Sequence, residues 1–156
     1  MSKKFVGLVA LFLVLNFGGL AIGNWLMNNG PTETWYLTLN KAPWTPPGWV
    51  FGAAWTTIMI CFSVYLAFLF ESYQSLFLIG LFAVEWFLNV SWNYFFFNLH
   101  QVALGLVIIT ALTSLIFYFF FSYQMDDIKK RRYLLLPYMI WLCIATSLNL
   151  YILVHN

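Results

Sequence analysis

Charge is the scarcest feature of this sequence. Seven Lys and Arg and five Asp and Glu make only 8% of its 156 residues charged, where a soluble domain carries about 25%. A polar coat cannot be assembled from so few groups, which excludes a water-soluble globular domain. Cysteine is equally rare. Cys61 and Cys143 both lie within apolar runs, with no second Cys or His at a metal-ligand spacing, which argues against a disulfide framework or a zinc site and leaves both as small apolar residues. The two histidines, His100 and His155, have no Ser, Cys or carboxylate at a suggestive spacing, so hydrolytic and phosphoryl chemistry have no support. One short basic cluster at 129–132 is too little for nucleic-acid binding.

What the chain does have is apolar length. Hydrophobic residues make up 63% of it, in runs close to the roughly 20 residues that cross a bilayer. Five spans are predicted, at about 5–27, 49–70, 75–97, 102–123 and 133–154. Alternating polarity, the mark of a closed barrel, is missing, so the fold class is all-α: five transmembrane helices in a single domain over 1–156. Lys3 and Lys4 before the first run mimic a signal peptide, with Ala21-Ile22-Gly23 as a cleavage site. That run is too long for such a segment, and four similar ones follow. Small residues at four-residue spacing, Gly19 with Gly23 and Gly52 with Thr56, predict close backbone approach between helices. Five spans put Lys3, Lys4, Lys129, Lys130, Arg131 and Arg132 on one side and Lys41 on the other, which predicts a cytoplasmic amino terminus and an external carboxyl terminus.

The connection from Asn28 to Gly48 is longer than antiparallel neighbours need and reads as a lid. Thr32 and Glu33 are expected to cap a short helix through about Asn40, carrying Trp35, Tyr36 and Leu39, before Pro43, Pro46 and Pro47 stiffen the return. Trp35, Trp44 and Trp49 equally suit an interfacial aromatic belt. At 100° per residue, Glu85, Asn89, Trp92, Asn93 and Phe96 share one face of the third helix. A carboxyl at that depth costs about 2.5–3.5 kcal/mol, so Glu85 must turn inward, take up a proton or find partners, and a structural interhelical hydrogen bond would serve equally. The fifth helix aligns Tyr138, Trp141, Ala145, Leu148 and Asn149 behind Pro137, and the second adds Trp55. Three helices and a lid can then enclose a pocket of indole faces and amides, suited to a large, flat, mostly apolar ligand.

These residues resemble the tryptophan-rich sensory protein and translocator protein family, TspO/MBR. The segments that carry the likeness are Trp35-Tyr36, Lys41, Trp44-Thr45-Pro46-Pro47-Gly48-Trp49-Val50-Phe51-Gly52 and Trp55-Thr56. Leu88-Asn89, Trp92, Phe96-Phe97, Pro137-Tyr138, Trp141, Ala145-Thr146 and Leu148-Asn149 complete it, in order along nearly the whole chain. The resemblance implies a multi-pass protein of a bacterial cell membrane, commonly a homodimer in contact with lipid. It would bind a porphyrin or haem-like molecule as ligand rather than cofactor. Its ligand-binding residues would be Trp35, Trp44, Trp49, Trp55, Glu85, Asn89, Trp92, Asn93, Trp141, Ala145 and Asn149. A receptor or carrier in stress sensing or tetrapyrrole regulation is the leading function. A light- and oxygen-dependent porphyrin-degrading enzyme, with Trp55 and Trp141 as the reactive indoles, is one alternative. A small-molecule translocation path is another.

The chain departs from the family pattern at four places. Glu85 stands where Gln is frequent, which would add a titratable group to the pocket. Met59 replaces a common Tyr, and Asn98 follows the Phe pair where Gly is usual. After Asn149 the chain reads Leu150, Tyr151, Leu153 and Val154 in place of the animal members' cholesterol motif.

Overall fold

The computed structural model describes residues 2–123 and 126–156. Helix α1 (Lys3–Leu26) starts at Ser2, whose hydroxyl accepts from the Phe5 amide. A 3-10 turn (Gly30–Thr32) and the single-turn α2 (Thr34–Thr38) follow, then α3 (Gly48–Ser72). Helix α4 (Leu76–Asn93) is capped by Ser75 and runs on through a π turn (Tyr94–Asn98) into α5 (Val102–Ser122). The short α6 (Asp126–Lys129) and a 3-10 segment (Arg131–Leu135) lead into α7 (Leu136–His155). Pro137 sits in the first turn of α7, where a missing N–H costs the helix nothing.

Five helical stretches, Lys3–Leu26, Gly48–Ser72, Leu76–Asn98, Val102–Ser122 and Arg131–His155, are long and apolar enough to cross a membrane. Helix α1 packs on α3 and α4, α4 on α5, α5 on α7 and α7 on α3, which closes a ring in the order α1, α3, α7, α5, α4. Large apolar side chains such as Val14, Leu76, Phe87, Val107 and Val154 face outward, as a lipid solvent requires. Charge falls as the spans dictate. The amino terminus and residues 126–131 lie at one end of the ring, with Arg131 stacked 3.4 Å from the Phe68 ring centroid. The first connection, the α4–α5 turn and the carboxyl terminus lie at the other.

Packing density differs between these ends. Near residues 126–131, Phe62, Tyr65, Leu66, Leu69, Ile116, Phe119 and Leu135 are sealed from the exterior. The Tyr65 hydroxyl donates to the Phe119 carbonyl at 3.2 Å, and Asn16 Nδ2 donates to Ser63 Oγ at 2.8 Å. In lipid the gain at such contacts is van der Waals packing rather than removal of apolar surface from water. The opposite end is hollow.

Two expectations need correction here. The helix in the first connection spans one turn and stops at Thr38, because Leu39 leaves in an extended conformation, and Glu33 takes its N-cap position through the backbone, without a side-chain hydrogen bond. The Thr32 hydroxyl instead donates back to the Asn29 carbonyl at 2.8 Å. Asn28 and Asn29 at φ 47° and 61° make the left-handed break that ends α1, a conformation Asn tolerates. The small residues also divide. An added Cβ at Gly19 would meet the Trp86 indole at 2.6 Å, and one at Gly23 would meet Asn93 Nδ2 at 2.7 Å, so both let α4 approach α1. Gly52 has nothing within 4 Å of that position. It serves an opening, not a helix contact.

Candidate functional site

The hollow end contains a cavity of about 870 Å³. Helix α1 supplies Phe17, Leu20, Ala21, Asn24 and Met27, which recur at the three- and four-residue steps of one helix face. Helix α3 supplies Gly48, Phe51, Gly52, Trp55 and Thr56 by the same spacing, the end of α4 gives Trp92 and Asn93, and the π turn gives Phe97. Pro31, Tyr36, Lys41, Thr45 and Pro46 of the first connection cover the remaining side. The wall is mostly apolar and aromatic. Its polar points are few: two amides, two threonines, the Tyr36 phenol and the Lys41 ammonium.

Each aromatic wall residue on α3 and α4 is braced from behind by α7. Trp92 Nε1 donates to Asn149 Oδ1 at 3.1 Å, while Asn149 Nδ2 donates to the Val102 carbonyl at 3.0 Å, so the Asn149 amide is used on both ends. Gly105 leaves room for it, since an added Cβ would lie 3.1 Å from Asn149 Oδ1 and 3.2 Å from the Phe96 ring. Trp55 meets the Tyr138 ring edge-on at 5.9 Å, and Phe51 meets Trp141 edge-on at 5.0 Å. Stacking of Phe96 on Trp92 at 5.0 Å completes the support. Edge and offset contacts of this kind add about 0.5–1.5 kcal/mol each beyond area.

Of the residues expected to bind a ligand, Trp55, Trp92 and Asn93 line the cavity. Glu85 does not. It is buried beneath α7, accepting the Tyr138 hydroxyl at 2.7 Å, and Asn89 Nδ2 donates to the same hydroxyl at 2.8 Å. Trp141, Ala145 and Asn149 share a face, as periodicity implies, but that face packs against neighbouring helices instead of opening into the cavity. Trp141 also edges a smaller apolar groove of about 400 Å³ between α3 and α7. Trp35 does not line the cavity; it is stacked on His100 at 4.0 Å and edge-on to Phe96 at 5.9 Å, with Glu33 Oε2 3.6 Å from His100 Nε2. Trp44 donates through Nε1 to Ser147 Oγ at 3.1 Å and packs on Tyr151, and Trp49 is 75% exposed. These three tryptophans anchor or flank the connection without touching the cavity.

Residue patterning passed over the α1 face and the pair Tyr36 and Lys41. Asn24, polar within an apolar run and in register with Phe17, Leu20 and Ala21, was the available signal for α1. Lys41 Nζ donates to the Tyr36 carbonyl at 3.0 Å and lies 4.4 Å from the Tyr36 ring centroid. Burial pushes the Tyr36 phenol up, so at neutral pH it remains an uncharged group that can both donate and accept.

The model of the TspO/MBR family matches residues 9–155. A tryptophan-rich protein TspO from Archaeoglobus fulgidus is 30% identical over 156 residues, covering 98% of this chain and 97% of its own. One of the same name from Chlorobaculum tepidum is 29% identical, covering 100% and 99%. The translocator protein of Homo sapiens is 30% identical over 138 residues, covering 78% and 74%.

Proposed function

The chain belongs to the TspO/MBR family, and on that premise we propose that it is a membrane receptor or carrier that binds porphyrins in the cavity beneath the first connection. The observation that carries this reading is the cavity itself. Its volume of about 870 Å³ falls in the range of about 300–1,000 Å³ typical of small-molecule sites. Phe51, Trp55 and Trp92 offer flat faces for a flat ligand, and contacts with Tyr138, Trp141 and Asn149 brace them from behind. Preorganised walls lower the ordering cost of binding.

In this reading the first connection acts as a lid, held at its edges. Trp35 stacked on His100 fastens it to the α4–α5 turn, and Trp44 with the Asn40–Asn156 hydrogen bonds fastens it to the end of α7. The basic end of the ring faces the cytoplasm, so the lid and cavity mouth face outward. Binding is favoured over degradation because only Trp55 of the two indoles that degradation would employ reaches the cavity.

Titration of the purified protein with protoporphyrin in non-ionic detergent, followed by quenching of tryptophan emission, tests the proposal. Saturable quenching at one equivalent per chain is expected. A linear, unsaturable decline, as free porphyrin in micelles would give, would refute it.

A further inference from the structure

Lys41 is the one Lys or Arg on its side of the membrane, and it lines the cavity together with Tyr36, against which its ammonium rests. It donates to the Tyr36 carbonyl, a neutral acceptor, and lies over the Tyr36 ring. Among the described residues no carboxylate pairs with it. Glu33, the one acidic side chain of the connection, is turned to His100, and no Asp or Glu lines the cavity. A half-buried ammonium with two further N–H donors and no counter-ion leaves a positive potential in a largely apolar space. The first turn of α3, at Gly48, forms the same wall and carries no acidic residue, so its partial positive charge has the same sign.

We infer that Lys41 is a specificity-determining residue that pairs with a carboxylate at the edge of an otherwise apolar ligand. A single point charge without an arginine fork suits a monoanionic carboxylate better than a phosphate, which recruits several cations or bidentate partners. The rest of the ligand then lies towards Trp55 and Trp92, and Asn24 and Asn93 contact its interior polar atoms. This deepens the porphyrin reading and rests on it, because the porphyrin free acid carries such carboxylates and its methyl ester does not.

The test compares protoporphyrin with its dimethyl ester, and pyrenebutyrate with its methyl ester, on the wild-type protein, Lys41→Gln and Lys41→Arg. Gln can still donate to the Tyr36 carbonyl but carries no charge. Comparing each acid-to-ester ratio of Kd between proteins cancels the different partitioning of acid and ester into micelles. In Lys41→Gln the preference for the acid should fall about tenfold for both ligand pairs, and in Lys41→Arg it should persist. An unchanged ratio in Lys41→Gln overturns the inference. If neither porphyrin binds yet the pyrene pair shows the Lys41-dependent preference, the carboxylate anchor stands and the porphyrin reading fails. Should Lys41→Gln not fold, Lys41→Met provides the same comparison.

Discussion

Gly52 offers a way to fill the cavity without disturbing the bundle. An added Cβ there meets nothing within 4 Å, and Gly52 lies in the wall between Phe51 and Trp55. Gly52→Leu therefore projects its side chain into the space assigned to ligand. The folded protein should not suffer, because replacing a helical glycine removes a penalty of about 0.5–1 kcal/mol. The ligand should. Forcing extra methylenes into an occupied site costs about 1–3 kcal/mol, which raises Kd roughly 5- to 150-fold. The matching control is Gly30→Ala, where the new Cβ would lie 2.5 Å from Phe97 Cβ, an atom fixed to the backbone that cannot yield. There the cost falls on the fold, about 1–3 kcal/mol, or a few degrees of Tm for each kcal/mol in a chain of this size. Porphyrin quenching titrations beside melting curves in the same detergent separate the two effects. Wild-type affinity in a folded Gly52→Leu protein would refute the placement of the ligand, and a lower Tm in that variant would refute the claim that Gly52 borders open space.

Asn149→Leu removes the acceptor of Trp92 Nε1 and the donor to the Val102 carbonyl, so it should cost about 2–4 kcal/mol of stability, read as a lower Tm and a changed near-ultraviolet signal from Trp92. Trp141→Phe keeps the edge contact with Phe51 and should change porphyrin Kd by less than about twofold, less than Trp55→Phe; a larger effect would place Trp141 in the site. Trp35→Ala removes the stack on His100 and the edge contact with Phe96, each worth about 0.5–1.5 kcal/mol, and should speed porphyrin release in stopped-flow measurements while lowering Tm by a few degrees; an unaltered off-rate would end the role of the connection as a lid. Reporter fusions at both termini should find the amino terminus inside and the carboxyl terminus outside, and a cytoplasmic carboxyl terminus would overturn the orientation.

Hydropathy made the five helices legible, because lipid admits few alternatives to a long apolar helix. Periodicity also grouped Trp141, Ala145 and Asn149 correctly on one face of α7. A face in one dimension cannot say which neighbour it meets, however, and this one meets other helices while α1 takes its place at the cavity. Phe17, Leu20, Ala21 and Met27 escaped notice because a lipid-facing helix and a cavity-facing helix draw on the same apolar residues. Lys41 escaped because its charge was already explained by topology, and its closeness to Tyr36 depends on the helix ending at Thr38, with Leu39 extended between them. Glu85 was recognised as costly in lipid, and the choice between cavity and structural partner depended on Tyr138, which lies 53 residues away. Gly52 and Gly23 look alike in sequence. What differs is the other helix, which supplies Asn93 opposite Gly23 and nothing opposite Gly52.

The most direct test of the central claim is a structure determined with protoporphyrin bound. The account predicts density for the macrocycle among Phe51, Trp55 and Trp92, beneath residues 31–46, with a carboxylate edge turned to Lys41. Density confined to the outer groove between α3 and α7, beside Pro137 and Trp141, with the cavity unchanged, would contradict it.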